Sequence, residues 1–177
     1  MRKSVLVLAV AALAAVPAVG TAQRARSRPA SSSSVVEQKL HFGPQASWGS
    51  DTDFGVGARL TYGLGKLFPT VPLSAQASFD WFFPGNGLTF WEINWAVDYN
   101  FHVQTMPNIT PYAGAGLGLA HTSVSVGGFS ASDNSVGFEL VGGAQFKMAN
   151  SKITPFAEIR LDAHSGSQMV LTGGILF

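Results

Sequence analysis

The chain has 177 residues, of which 11 are Lys or Arg, 10 are Asp or Glu, 20 are Gly and none is Cys. The absence of cysteine excludes a disulfide framework and a cysteine nucleophile, and the net charge of +1 argues against a nucleic-acid partner. Only 12% of the residues are charged and 46% are hydrophobic, whereas soluble domains carry about 25% charged residues. The composition therefore indicates that something other than water covers much of the surface.

The first 22 residues have the features of a secretory signal peptide. A basic start precedes an apolar run from Val5 to Val16, and small residues up to Ala22 suit cleavage by a signal peptidase. The apolar run is shorter than the roughly 18 residues that a membrane-spanning helix needs. We therefore predict a signal peptide over residues 1–22, followed by a flexible tail over residues 23–36, where arginines and four consecutive serines leave little to bury.

From residue 37 onward the hydrophobic pattern has the period of two that is typical of β-strands. In the clearest run, Trp91–Val103, every odd position is apolar or aromatic and most even positions are polar. Ile153–His164 and Val136–Met148 repeat this alternation. With the turn-rich segments between them, the pattern predicts eight strands: 37–48, 54–65, 72–83, 89–103, 109–124, 135–148, 153–164 and 168–177.

Two closed architectures suit eight antiparallel strands: a soluble barrel with an apolar interior, or a membrane barrel with a polar one. A soluble barrel would spread charges over its exterior, but here the polar face carries few charges, in mixed sets such as Glu158, Arg160 and Asp162. Because side chains fill the interior of an eight-stranded barrel, the charged face fits the lumen and the apolar face fits lipid. We predict an all-β, eight-stranded antiparallel up-and-down transmembrane β-barrel over residues 37–177.

Aromatic residues lie near the ends of the predicted strands, as expected for girdles at two lipid interfaces. One rim includes Phe54 and Phe83, and the opposite rim includes Phe42 and Phe146. The lipid-interface aromatics predicted in this way are Trp48, Trp81 and Trp91 at the first rim, and Phe101 and Phe177 at the second.

The last predicted strand resembles the C-terminal strand that the outer-membrane barrel assembly machinery recognises. That strand typically ends in Phe and carries apolar residues at alternate positions, and only Gly173 departs from the pattern here. The residues that share this face are Met169, Leu171, Gly173, Ile175 and Phe177. The resemblance implies that the assembly machinery is a partner through the strand ending in Phe177.

Two further stretches resemble the small outer-membrane β-barrel families typified by OmpX, OmpW and the OmpA membrane domain. They are PYAGAGLGLA at 111–120 and ITPFAEIRLDA at 153–163. The resemblance implies a Gram-negative outer membrane, contact with its lipid and lipopolysaccharide, and both termini in the periplasm. It also implies four outer loops and three short inner turns.

The ionisable side chains of the predicted lumen need partners, because an unpaired buried charge is costly. Alternating strand directions place Arg160 near the level of Val141 and Thr172, and Arg59 near Asp80. We predict an ion-pair network that closes the pore, with a conducting or proton-relay lumen as the alternative. The predicted members of this lumenal charge network are Arg59, Asp80, Glu92, Asp98, Glu139, Glu158, Arg160 and Asp162.

No catalytic residue, metal site or cofactor is predicted, since the four histidines fall on four different strands without a second ligand at a metal-binding spacing. A lipid-A-modifying enzyme remains an alternative through His164 and Ser165, although adjacent strand residues point to opposite faces. We predict a non-enzymatic outer-membrane protein that supports envelope integrity or binds partners through loops such as 126–135. The resemblance to OmpW leaves a narrow conduit for small hydrophobic molecules as a further alternative.

Overall fold

The computed structural model describes residues 39–85, 87–126, 129–163 and 167–177. The predicted signal peptide and tail, and the pair His164 and Ser165, lie outside these ranges. No helix within them is long and apolar enough to span a membrane.

Eight strands form one closed barrel in which each strand pairs antiparallel with its neighbours in sequence and the last pairs with the first. This confirms the predicted up-and-down topology. The strands are β1 (Leu40–Gly49), β2 (Asp53–Gly63), β3 (Leu73–Phe82), β4 (Leu88–Asn100), β5 (Ile109–Val126), β6 (Phe129–Phe146), β7 (Thr154–Ala163) and β8 (Ser167–Leu176).

The interior of the barrel is polar and its outer surface is apolar. On β4, Glu92, Asn94 and Asp98 point into the lumen and are buried, whereas Trp95 and Val97 between them are half exposed on the outside. The strands β1, β2, β7 and β8 alternate in the same sense, because successive side chains point to opposite faces. The alternation read from the sequence therefore places the charged face inside.

The connections between strands differ in length at the two ends of the barrel. We call the end where β1 begins the N-terminal end, and there the connections run over 64–72, 101–108 and 147–153. The connections at the other end, such as 50–52, are shorter. If the N-terminal end faces the periplasm, the three inner turns are therefore longer than expected. Prolines contribute to the difference, because a proline such as Pro72 or Pro107 cannot donate a hydrogen bond to a strand ladder.

The hairpin of β5 and β6 rises above the rest of the barrel at the end opposite the N-terminal end. Most of the predicted loop 126–135 belongs to β6, so the loop assignment is wrong. Residues 130–135 are small or polar on both faces and exposed or half-buried, so they lack the alternation by which a half-buried strand is recognised. Among the described residues, the ladder of β6 with β7 begins at Phe138 opposite Ala163, and the β6 residues before Phe138 pair only with β5.

The barrel closes where β1 meets β8, and a glycine permits this closure. The ladder runs from Gln45 opposite Gly174 to Gly49 opposite Val170. A Cβ atom at Gly43 would overlap the backbone oxygen of Ile175 on β8 and lie 2.8 Å from its carbonyl carbon. The two strands can therefore approach closely at this point only because residue 43 has no side chain.

We expect Gly43→Ala to lower the free energy of unfolding by about 1–3 kcal/mol, because the added methyl group forces the backbones of β1 and β8 apart. The matched control is Gly142→Ala on β6, where an added Cβ meets no atom within 4 Å, so its effect stays within about 0.5 kcal/mol. Urea titration of the refolded protein in micelles, followed by tryptophan fluorescence, measures both values. Equal stability of the two variants would contradict the close approach at the seam.

Candidate functional site

The guanidinium of Arg160, only 1% exposed, lies in the lumen among four carboxylates that come from four strands. Its Nη2 donates to Oε2 of Glu92 at 2.7 Å, and its Nε donates to Oδ1 of Asp162 at 3.0 Å. Oδ2 of Asp80 lies 3.5 Å from Nη1, and Oε2 of Glu139 lies 3.8 Å from Nε. We call these five residues the Arg160 cluster, which joins β3, β4, β6 and β7 across the lumen.

Uncharged side chains add hydrogen bonds to the carboxylates of this cluster. Gln168 Nε2 donates to Oε1 of Glu92 at 2.6 Å. Gln45 Nε2 and Ser47 Oγ donate to Oδ1 of Asp80 at 2.7 and 2.8 Å. Donors from β1 and β8 thereby enter the same layer, because a carboxylate removed from water requires hydrogen bonds as well as an opposite charge.

A second layer, the Arg59 cluster, lies closer to the N-terminal end and consists of Arg59, Glu158, Tyr112 and Phe156. Arg59 Nη1 donates to Oε2 of Glu158 at 2.6 Å, Nη2 donates to the other carboxylate oxygen, and the Tyr112 hydroxyl donates to Oε2 at 2.8 Å. The guanidinium carbon lies 4.3 Å from the centroid of the Phe156 ring. Gln45 Oε1 accepts from Arg59 Nε at 3.0 Å and thus links this layer to the Arg160 cluster.

All eight predicted network residues are at most 4% exposed and face the lumen, and seven of them belong to the two clusters. Asp98 is the exception, since its Oδ1 has no hydrogen-bond partner among the described residues. A Cβ at Gly114 on β5 would overlap this oxygen, so the glycine leaves the space that the Asp98 side chain occupies. Two arginines face six carboxylates, and the lumen therefore carries a formal excess of four negative charges.

The predicted heights and pairings are only partly correct. Arg160 lies opposite Val141 as predicted, but its neighbour on β8 is Val170 rather than Thr172. Arg59 binds Glu158 on the far side of the lumen, while Asp80 contacts Arg160. These partners differ because strand register determines neighbours within the sheet, whereas contacts across the lumen depend on the tilt and closure of the barrel.

Sequence reasoning missed the uncharged members of the site. Tyr112, Phe156, Gln45 and Gln168 all lie on the lumen face, where they bind or cover the charged groups. Asn94 also belongs to the site: with its amide turned to suit its neighbours, it donates to Glu139 and accepts from Arg160, both at 3.2 Å. The alternation of faces along a strand is sufficient to place these residues inside. For Tyr112 and Phe156, the sequence signal was an aromatic residue on an otherwise polar face.

The predicted interface aromatics occupy the two rims of the outer surface. At the rim opposite the N-terminal end, Trp48 pairs with Phe54 across β1 and β2, and Trp81 pairs with Trp91 across β3 and β4. The ring of Trp91 also stacks on His121, with the centroids 5.0 Å apart.

The rim at the N-terminal end carries the other aromatic group. The Phe177 and Phe42 ring centroids are 6.2 Å apart, and those of Phe101 and Tyr99 are 5.0 Å apart. Phe42, Phe101 and Phe177 are each about half exposed on the outer surface. The outer surface is therefore bordered by aromatic rings at both ends, as in barrels that cross a bilayer.

The described residues contain no group of three or more His, Asp or Glu that could hold a metal ion. Two histidines make hydrogen bonds, His41 to the backbone oxygen of Phe177 and His121 to the side chain of Asn134. Neither of these two partners is a nucleophile. The ionisable side chains of the lumen form ion pairs that join β2, β3, β4, β6 and β7.

Comparisons with known proteins give a consistent result. Residues 5–164 match the family described as outer membrane protein beta-barrel domain. Among solved structures, the chain is similar to Neisserial surface protein A (17% identity, TM-score 0.57, covering 77% of this chain and 94% of that one). It is also similar to the N-terminal β-barrel domain of OprF from Pseudomonas aeruginosa (14%, 0.58, 80% and 100%) and to the attachment invasion locus protein Ail of Yersinia pestis (16%, 0.54, 78% and 96%). No curated protein matches the chain.

We expect Arg160→Ala to lower the free energy of unfolding by about 3–5 kcal/mol, because four buried carboxylates lose their shared cation. Arg160→Lys keeps the charge but loses the planar fork, so its loss is smaller. Lys66→Ala is the control, since this exposed side chain changes stability by no more than about 0.5 kcal/mol. Urea titration in micelles gives all three values, and native stability of Arg160→Ala would show that the cluster is not needed for folding.

Proposed function

Because the chain belongs to the outer membrane protein beta-barrel domain family, we propose that it is a non-enzymatic barrel of the Gram-negative outer membrane whose lumen is closed by side chains. Its proposed role is to support envelope integrity or to bind partners at the cell surface. The observation that carries this proposal is the Arg160 cluster, which joins four strands across the lumen with side chains that are nearly inaccessible to water.

The lumen is closed at more than one height. Glu158 lies two residues before Arg160 on β7, so the two clusters are stacked about 7 Å apart along the strand. Near the opposite end, Phe82 is buried and its ring centroid lies 5.6 Å from that of Phe90, also on the lumen face. An ion that crossed the barrel would have to separate buried pairs, and breaking such a pair costs about 3–5 kcal/mol.

The tall β5–β6 hairpin supports a role at the surface. It rises at the end opposite the termini, which the proposed orientation directs away from the cell. Its residues 130–134 are exposed, and Val136 and Phe138 on its outer face are 70% and 75% exposed. A surface of this kind offers both polar and apolar contacts to a partner.

The closed ladder argues against a lateral route for small hydrophobic molecules. Such a route needs a gap between strands, but the eight strands pair around the whole barrel. At the seam, Ser50 N donates to Met169 O and Phe177 N donates to Phe42 O, both at 2.9 Å, which extends the pairing of β1 and β8. We also propose that the outer surface contacts lipid and lipopolysaccharide and that the assembly machinery recognises the strand ending in Phe177.

We expect the purified protein to give no steady current in planar lipid bilayers, because its lumen is occluded by two layers of ion pairs. Arg160→Ala is also expected to give no steady current, since the Arg59 cluster still occludes the lumen nearer the N-terminal end. An open porin in the same bilayers is the positive control. A steady ohmic current through the unmodified barrel would overturn the closed-lumen proposal.

We expect single-cysteine labelling to place the N-terminal end in the periplasm. The chain has no cysteine, so Asp51→Cys and Met106→Cys each introduce one exposed thiol, at opposite ends of the barrel. A membrane-impermeant maleimide should label residue 51 in intact cells and residue 106 only after the outer membrane is permeabilised. The reverse pattern would show that the orientation is wrong.

A further inference from the structure

The two ends of the barrel carry opposite charges. The described residues of the N-terminal end include four lysines and no Asp or Glu side chain; the lysines are Lys39, Lys66, Lys147 and Lys152. The described residues of the opposite end include no Lys or Arg, and their acidic side chains are Asp51, Asp53 and Asp133. These lysines favour anions at the N-terminal end, and the three carboxylates disfavour them at the opposite end.

The N-terminal end opens into a cavity of about 510 Å³ on the barrel axis, which we call the vestibule. Cationic, imidazole, amide and hydroxyl side chains line it together with apolar residues such as Met106, Ile109 and Leu176. The lining includes Lys39, His41, His102, Lys147, Asn100 and Gln145.

Hydrogen bonds give the walls of the vestibule a defined shape. Asn100 Nδ2 donates to the backbone oxygen of Pro72 at 3.2 Å and to Oγ of Ser74 at 2.9 Å. The backbone N of Lys147 donates to the backbone oxygen of Asn108 at 2.8 Å, while the Lys147 side chain remains exposed. The connecting segments are thus tied to the strands that border the vestibule.

The charge of the lumen changes sign just beyond the vestibule. Asp98 lies opposite Ser74, which lines the vestibule, and the Arg59 cluster follows. Both lumenal arginines are already paired with carboxylates, so a negatively charged group that enters from the vestibule finds no free cation among the described lumenal residues. An anionic ligand would therefore be held at the mouth and not be drawn through the barrel.

We propose that the vestibule binds peptides that carry free carboxylates, the chemistry of the stem peptides of the cell wall. This inference rests on the periplasmic orientation given above. The amide and hydroxyl groups of the lining match a peptide backbone, and Lys39 and Lys147 match its carboxylates. An anionic lipid fits less well, because the strands separate the vestibule from the bilayer and a headgroup on the barrel axis would pull its acyl chains out of the membrane.

Calorimetric titration tests this proposal with the mature barrel in nanodiscs of zwitterionic phosphatidylcholine and with soluble muropeptides released from purified peptidoglycan. We expect saturable binding that weakens as salt is raised, because screening shortens the reach of the lysine charges. Lys147→Glu should weaken binding about tenfold, which corresponds to about 1.4 kcal/mol. Lys66→Glu makes the same charge change at the same end but outside the vestibule lining, so binding should stay within about twofold.

Several results would overturn the proposal. They are no binding to the unmodified barrel, equal losses for the two lysine variants, undiminished binding of muropeptides whose carboxylates are amidated, and equally Lys147-dependent binding to phosphatidylglycerol vesicles. Urea midpoints equal to that of the unmodified protein establish that both variants are folded. This inference alone would be overturned if muropeptides did not bind while the bilayers showed no current and residue 106 was labelled only after permeabilisation. The closed-lumen proposal would then remain intact.

Discussion

The structure depends on the burial of one arginine among four carboxylates in a lumen that nearly excludes water. A charge in such a place must be matched by opposite charge and by hydrogen bonds, and Arg160 receives its partners from β3, β4, β6 and β7. A slip of one residue in any of these strands would turn its charged side chain toward the outer surface. The ion pairs therefore specify the register of the barrel more than they add to its net stability.

Different structural features lie at successive levels along the barrel axis. Aromatic rings border the apolar outer surface at both ends, and the two clusters close the lumen between them. The end with the tall hairpin is acidic, whereas the end with the vestibule is basic. The binding surfaces that we propose therefore lie at the two ends, and the role that we propose for the middle of the barrel is structural. This division suits a protein that holds contacts on both sides of a membrane without passing solute between them.

Local pattern was informative wherever one face of a strand met the apolar surroundings and the other met the lumen. The alternation in β4 predicted that Glu92 and Asp98 face inward, and both side chains are buried in the structure. The pattern failed at residues 130–135, where the strand leaves the barrel and water reaches both of its faces. It also gave no sign that β6 continues there, because within the described part of the chain those residues pair only with β5. A period of two appears in the sequence only where the two faces of a strand meet different environments, and it is absent where both faces meet water.

By itself, the amino-acid sequence determined the number of strands and, within the barrel wall, the face on which the charged side chains lie. Both follow from a period of two and from the cost of placing charge against an apolar phase. Only the tertiary structure decided which charges meet. Arg59 and Glu158 are 99 residues apart and belong to strands that are not neighbours, yet they form the shortest contact of their layer. Their approach depends on strand tilt and on closure of the sheet, and both are properties of the whole barrel.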